Sequence, residues 1–265
     1  MKVIDRLREI YEETAVQYDT VVSKARIPHF LTLVRMMAFK GDEEAIDLGC
    51  GPGNLTREVF PYVRKVTGLD ASPAMIEQAK QAFPYFDWRV GDATQTGLPE
   101  ASFDAAVSSQ LLPWLPDASA FFREVARLLK PGSPFGLITS ASSTYREFFQ
   151  ALERLLRTFE EYYQTDAVSQ VWGSKTYTVS QLERLLGEAG LRLENWTVLQ
   201  TEVPTTPDDY LELMRMFTND HYLYPIPEER RPEAKRQLAD NLRREGLTLN
   251  ERAIILVARR VGPSP

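Results

Sequence analysis

Before residue 41, the hydrophobic residues of the chain recur at helical spacing. Residues 3–18 carry apolar side chains on one face, which predicts an amphipathic helix. FLTLVRMMAF, residues 30–39, is apolar almost all round, so a second and buried helix is predicted there. Gly41 and Asp42 end it. Residues 1–40 are therefore predicted to form a helical cap.

Between residues 45 and 139, short apolar runs alternate with amphipathic stretches. The runs have the length of strands, and the stretches between them have helical spacing, the last one ending at Lys130-Pro131-Gly132. This alternation is typical of a parallel sheet with helices on both faces. The predicted strands are AIDL (45–48), KVTGLD (65–70), FDWRV (86–90), FDAAVSS (103–109) and PFGLIT (134–139).

The regular alternation stops after Thr139. A long amphipathic stretch at 145–163 is followed by a predicted helix at 179–190. LRLENWTVLQTEV (191–203) and NERAIILVARRV (250–261) alternate like strands and are predicted to close the sheet. An insertion with further helices separates these two strands.

The segment AIDLGCGPGNLT, residues 45–56, has three glycines in five positions directly after the first predicted strand. A nicotinamide-binding loop has the spacing G-x-G-x-x-G, but here Asn54 occupies the sixth position and the last glycine is Gly53. No Gly-Lys-Ser/Thr follows, so a phosphate-binding P-loop is excluded. The pattern found is D-x-G-x-G-x-G, starting at Asp47. Such a loop lets a ligand approach the backbone, because glycine has no Cβ; a plain tight turn is the alternative.

Four segments, in order, resemble the motifs of the class I S-adenosylmethionine-dependent methyltransferases. They are IDLGCGPG (46–53), VTGLDASPAMIEQAK (66–80), VGDATQTGLPEASFDAAVSS (90–109) and LLKPGSPFGLIT (128–139). The resemblance covers about residues 40–140 and implies S-adenosylmethionine as the cofactor. It also implies a doubly wound, Rossmann-like α/β fold with seven mostly parallel strands, the last of them antiparallel.

The resemblance implies a single methyltransferase domain over residues 1–265. Its parts are the N-terminal helical cap (1–40), a cofactor-binding core (41–140), two lid insertions (141–178 and 204–246), and a closing helix and strands (179–203 and 247–262).

The resemblance also implies roles for the residues around the loop. The three loop glycines admit the methionine end of the cofactor, whose ammonium group Asp47 balances; Asp70 accepts both ribose hydroxyls, and Asp92 accepts from the adenine amino group. For Asp70, capping of the next helix is the alternative, and Cys50 is predicted to be a small core residue. The predicted cofactor-binding residues are Tyr18, Asp47, Gly49, Gly51, Gly53, Asp70, Ala71, Met75, Asp92, Ala93 and Ser109.

The loop after the fourth predicted strand, SSQLLPWLPD (108–117), bears on the methyl acceptor. It lacks the Asn-Pro-Pro-Tyr motif of relatives that methylate amines, and Pro113 stands where many small-molecule relatives have a histidine. Of the two histidines, His221 is the candidate general base, and for both His29 and His221 an exposed side chain without a role is the alternative. The predicted acceptor-binding residues are Gln110, Trp114, Trp172 and Tyr210; Trp114 has core packing as its alternative.

Composition narrows the class of function further. The net charge of −6 disfavours a broad nucleic-acid surface, and the single cysteine excludes an internal disulfide or a multi-cysteine metal site. No apolar run is long enough to span a membrane, and the N-terminus lacks the apolar core of a signal peptide, so a cytoplasmic protein is expected.

We predict a metal-independent enzyme, monomeric or homodimeric, that methylates a small, largely apolar or aromatic molecule at oxygen. Transfer to carbon, a nucleic-acid or protein methyltransferase, and a non-catalytic cofactor-binding module remain the alternatives.

Overall fold

The computed structural model describes residues 26–142, 146–159, 176–204, 206–208, 211, 223, 226–244 and 248–261. The chain forms two compact units. The first comprises Met1–Ser142, Thr176–Leu199 and Ala253–Pro265, and the second comprises Ser143–Lys175 and Gln200–Arg252. The division into one domain with lid insertions stays a prediction.

Seven strands form one sheet, and each begins and ends within two residues of a predicted apolar run. They are β1 (Glu44–Leu48), β2 (Lys65–Asp70), β3 (Asp87–Val90), β4 (Ala105–Ser109), β5 (Pro134–Ser140), β6 (Leu191–Pro204) and β7 (Thr248–Arg260). Their order is β3-β2-β1-β4-β5-β7-β6. The pairs among β1 to β5 are parallel, whereas β7 runs antiparallel to β5. The predicted fold class is thereby confirmed.

Three helices lie in the connections between parallel strands, where such crossovers are usual: α2 (Asn54–Val59), α3 (Pro73–Ala82) and α4 (Ala118–Leu128). The other described helices are α1 (26–37), which precedes β1, and α5 (Arg146–Thr158), α6 (Val179–Glu188) and α7 (Arg231–Arg244), which follow β5. Several begin at side-chain caps: Ser72 accepts from the Met75 N–H, and Thr178 forms a capping box with Gln181.

Two helix ends differ from the sequence prediction. The first amphipathic stretch, NLTREVFPYV (54–63), has helical spacing throughout, but its α-helix ends at Val59 and tightens into a 3₁₀ turn, Phe60–Tyr62, that contains Pro61. Proline has no N–H to continue the α-helical hydrogen bonds. Helix α1 ends at residue 37, because Ala38 adopts a left-handed conformation with φ +50°.

The first unit has an apolar cluster on each face of the sheet. On one face, Phe121 and Phe122 of α4 pack edge-on against Phe135 of β5, with centroid distances of 6.0 and 6.2 Å. On the other face, α1 comes so close to β5 that a Cβ at Gly136 would meet the Met37 Sδ at 2.7 Å. This close approach explains a glycine in the middle of a buried strand.

The second unit has its own core, which α5 and α7 share. Leu152 and Leu155 of α5 and Leu238 and Leu242 of α7 are fully buried. The Arg230 guanidinium lies 4.7 Å from the centroid of the Phe159 ring, a favourable cation–π geometry. None of the helices in the described ranges is both long and apolar enough to cross a membrane.

Candidate functional site

The predicted cofactor residues that the structure describes gather at one edge of the first unit's sheet. Strands β1 to β4 are parallel, so their carboxyl ends meet at that edge. Asp47 stands in register with Gly68 of β2 and Val107 of β4, and Asp70 with Val90 of β3. Ser109 ends β4. The topology therefore brings together residues that are far apart in the chain.

The glycine loop is tied to the neighbouring strand through its backbone. The N–H groups of Gly49 and Cys50 both donate to the Leu69 carbonyl, at 2.8 and 3.0 Å. Gly49, Gly51 and Gly53 have φ values of +73°, +54° and +91°. An L-residue with a side chain is strained in this region, so the turn itself favours glycine at all three positions.

The three glycines differ in what a side chain would meet. A Cβ at Gly51 would enter open space. A Cβ at Gly49 would lie 2.8 Å from the Leu111 side chain, and one at Gly53 would lie 2.5 Å from the Trp88 ring. Ligand approach was predicted for all three, with a tight turn as the alternative. Packing gives Gly49 and Gly53 a second reason, and Gly51 alone faces open space.

Gly53→Ala is expected to destabilise the fold by about 1–3 kcal/mol, because the new methyl group overlaps the Trp88 ring. Thermal unfolding measures this loss. Gly53→Ala combined with Trp88→Leu should recover part of the stability. Equal melting temperatures for wild type and the single variant would contradict the packing explanation.

Asp70 holds the glycine loop rather than capping the next helix. Its Oδ2 accepts from the Gly51 N–H at 2.8 Å and its Oδ1 from the Ser72 N–H at 2.9 Å. The cap of α3 is Ser72 itself. Burial raises the pKa of the Asp70 carboxyl, while the N–H groups of Ser72, Gly51 and Ala71 oppose that rise. The two carboxylate oxygens together offer about four acceptor positions, so capacity for a ligand donor remains.

Asp47 is buried beneath the same loop, with 1% of its surface exposed. Its Oδ2 accepts from the Thr56 hydroxyl at 2.6 Å. Its Oδ1 has no hydrogen-bond partner in the part of the chain that the structure describes. Burial, followed by the charge of Asp70, raises the pKa of Asp47 to about 7. A cationic ligand group would satisfy both the charge and the unpaired oxygen.

Asp92 follows β3 and is partly exposed at this edge. Its Oδ1 accepts from both the N–H and the hydroxyl of Thr94, each at 2.7 Å, which fixes the orientation of the carboxylate. The neighbouring Ala93 is buried, and so is Met75 of α3.

Gln110 has a strained backbone just after β4. Its φ is +56°, which is uncommon for a residue other than glycine. Its N–H donates to the Ile138 carbonyl at 2.8 Å, and its Oε1 accepts from the Ser140 hydroxyl at 2.9 Å. Strain of this kind concentrates at functional sites. Trp114 is half-buried in the short turn Leu112–Trp114.

Four of the predicted site residues, Tyr18, Trp172, Tyr210 and His221, lie outside the described residues. For His29 the structure corrects the alternative of an exposed side chain, since it is fully buried in α1, on the face that packs against the sheet. Cys50 is buried in the same apolar cluster as Trp88. Burial raises the pKa of its thiol, which fits a core residue rather than a nucleophile. The described part of the chain contains no group of three or more residues suited to hold a metal ion.

Three contacts at the candidate site were not predicted from the sequence, namely those of Thr56 with Asp47, Leu111 with Gly49 and Ser140 with Gln110. Thr56 offered a signal, because a hydroxyl in the first turn of the helix after a glycine loop points back toward the loop. Leu111 and Ser140 offered none, since their contacts depend on strand order.

Known proteins match the same part of the chain. Residues 46–136 match the family described as a methyltransferase domain. The malonyl-[acyl-carrier protein] O-methyltransferase of Serratia marcescens is 31% identical over 43% of this chain and 44% of that protein. The trans-aconitate 2-methyltransferase of Methylobacterium radiotolerans is 43% identical over 33% of this chain and 34% of that protein. The chain thus matches less than half the length of either relative.

Two solved structures share the fold over most of the chain. The YcgJ protein of Bacillus subtilis has a TM-score of 0.60 at 20% identity, covering 89% of this chain and 99% of that one. The phosphoethanolamine N-methyltransferase 2 of Haemonchus contortus, in complex with phosphomonomethylethanolamine and S-adenosylhomocysteine, has a TM-score of 0.60 at 16% identity. That match covers 99% of this chain and 61% of the Haemonchus chain.

Proposed function

Because residues 46–136 belong to the methyltransferase domain family, we propose that the chain is an S-adenosylmethionine-dependent methyltransferase acting on a small organic molecule. The observation that carries this proposal is the buried Asp47 Oδ1, which has no hydrogen-bond partner among the described residues and lies beneath a glycine loop that is open at Gly51. A ligand with a cationic amine fits the first feature, and close backbone approach fits the second.

The residues at the edge suit the parts of this cofactor. Asp47 would hold the ammonium of the methionine moiety, Asp70 the ribose hydroxyls and Asp92 the adenine amino group. No phosphate is needed, in agreement with the absence of a P-loop lysine after Gly53.

When bound, S-adenosylmethionine supplies an electrophilic methyl group on a sulfonium. The group that leaves on methyl transfer would be a neutral thioether. The protein therefore has to align the acceptor and exclude water rather than stabilise a leaving anion. Gln110, at the carboxyl end of β4, is the described residue that we place nearest the acceptor. A general base is needed only for an acceptor that is protonated at neutral pH.

For the acceptor we propose a small, largely apolar or aromatic molecule that is methylated at oxygen. The name of the Serratia relative, an O-methyltransferase, supports transfer to oxygen, and the name of the Methylobacterium relative supports a small molecule. Transfer to carbon is the nearest alternative. The net charge of −6 weighs against a nucleic-acid substrate, and the unpaired Asp47 carboxylate oxygen weighs against a merely structural loop.

Calorimetry with S-adenosylmethionine, followed by a radiolabelled-methyl screen over cell extract, tests the proposal. We expect binding of the cofactor and transfer of label to a small molecule that mass spectrometry can identify. Binding without transfer to any fraction would favour a non-catalytic module. Label in RNA or protein would replace the small-molecule acceptor with that class.

Asp70→Ala is expected to weaken cofactor binding by about 1–3 kcal/mol, because it removes acceptors for the ribose hydroxyls and releases the Gly51 N–H. Calorimetry measures the dissociation constant. Asp87→Ala is the matched control, since Asp87 pairs with Lys65 and Arg89 at the start of β3, away from the loop. An unchanged constant in folded Asp70→Ala would contradict the assignment.

A further inference from the structure

Two hydroxyl groups of the first unit are buried with no hydrogen-bond partner among the described residues. They are the Thr139 Oγ1, near the end of β5, and the Tyr177 Oη, just before α6. Thr139 is fully buried and Tyr177 is 6% exposed. Buried hydroxyls are normally satisfied, because an unmade hydrogen bond reduces the stability of the fold. Two in one region therefore require an explanation.

The two side chains lie on the same face of the sheet. Phe135 and Leu137 of β5 belong to the apolar cluster under α4 and α6, and side chains alternate along a strand, so Thr139 points to that face too. Tyr177 belongs to the same cluster and pairs with the chain beside Ala141. Its N–H donates to the Ser140 carbonyl at 3.3 Å. Thr139 and the backbone of Tyr177 thus lie at the carboxyl end of β5, at the same edge as the cofactor residues, and both side chains are buried on one face of the sheet.

The segment between β4 and α4 links these hydroxyls to the glycine loop. Leu112 and Leu115 of this segment belong to the same apolar cluster as Tyr177. Leu111 is the side chain that lies against Gly49. Burial, followed by the charge of Asp117, raises the pKa of the Tyr177 phenol, so that it stays protonated at neutral pH.

We propose that Thr139 and Tyr177 form the polar end of the methyl-acceptor subsite and bind an uncharged oxygen, a hydroxyl or carbonyl, on an otherwise apolar molecule. This inference rests on the proposed function and adds the class of acceptor. The apolar cluster supplies the wall, and the two hydroxyls supply a donor and an acceptor. Burying a carboxylate in this apolar cluster would cost far more than burying a neutral oxygen, which separates this acceptor class from acids.

The test uses phenol as the probe, with benzoate as its charged counterpart, on the full chain saturated with S-adenosylhomocysteine. We expect the dissociation constant for phenol to rise about 10-fold in Tyr177→Phe and in Thr139→Val, the size of losing one hydrogen bond. Benzoate should bind more weakly than phenol to wild type. Both variants should melt about 2–4 °C higher without ligand, because an unsatisfied hydroxyl is gone. Affinity for S-adenosylhomocysteine should stay unchanged.

Tyr85→Phe is the matched control, because Tyr85 is 94% exposed and lies before β3; it should alter none of these quantities. Thr139→Ser keeps a hydroxyl and should keep phenol affinity, which guards against a packing defect in Thr139→Val. Wild type that does not bind phenol, or equal phenol affinity in wild type and Tyr177→Phe, would overturn the subsite. Loss of S-adenosylhomocysteine binding by wild type would instead overturn the proposed function.

Discussion

Gly51→Ala is expected to lower cofactor affinity about 100-fold, the largest effect of a single methyl group in this protein. A Cβ there meets no protein atom, so the apo fold has room for it. The space that it fills is the one proposed for the cofactor's methionine end, where overpacking costs about 1–3 kcal/mol, and the larger figure corresponds to about 100-fold. Calorimetry with S-adenosylmethionine measures the loss, and circular dichroism checks the fold.

Gly51→Ala has two effects that must be separated, namely backbone strain and overlap with the cofactor. The strain arises because Gly51 has a φ of +54°, where any side chain is disfavoured. Gly132 provides the control. It also has a positive φ, +80°, and a Cβ in open space, but it lies before β5, at the opposite edge of the sheet. Gly132→Ala should lose similar stability and no cofactor affinity. If both variants bind the cofactor like wild type, the loop is only a turn.

Raising the pH from about 4 to about 8 is expected to destabilise the cofactor-free protein through Asp47. The pKa of Asp47 rises from 3.8 to about 7 on folding, so the folded state holds this proton more tightly than the unfolded state. The resulting stability is fully present below pH 3.8 and is lost as the pH rises through 7. A rise of this size corresponds to about 4 kcal/mol. Asp70, whose pKa is raised as well, acts in the same direction.

Asp47→Asn should therefore melt higher than wild type at pH 8, with little difference at pH 4, while its cofactor affinity falls about 10-fold or more through loss of a charge-assisted contact. Melting curves across this pH range measure the first effect and calorimetry the second. Asp104→Asn should behave oppositely, because Lys130 and the Glu44 N–H lower the pKa of Asp104. A melting temperature of Asp47→Asn below that of wild type at pH 8 would contradict the account.

The strands of this protein could be predicted from sequence because each is an apolar run bounded by turn residues. KVTGLD is β2 without a shift at either end, and the alternation of strands and helices fixed the class of the sheet. The helix after the glycine loop was predicted too long, because a proline at its end converts the last turn to 3₁₀ geometry.

The sequence predicted the place of the site residues only where those residues lie at strand ends. Asp47, Asp70 and Asp92 share the edge expected for them, because parallel strands end together. The contacts of the individual side-chain atoms could not be predicted from the sequence. The packing of Trp88 against Gly53 and the hydrogen bond from the Gly51 N–H to Asp70 depend on the register of neighbouring strands, which a single sequence does not contain.

The hydrogen bond from the Gly51 N–H to Asp70 affects which other adenosine compounds can compete for the glycine loop. Related folds use loop N–H groups of this kind to bind phosphate, but here a carboxylate oxygen 2.8 Å away already accepts from it. ATP or NAD would bring several negative charges to a loop where burial, and to a smaller extent the charge of Asp70, already raises the pKa of Asp47. We therefore expect phosphorylated adenosines to bind this loop more weakly than an adenosine that carries no phosphate.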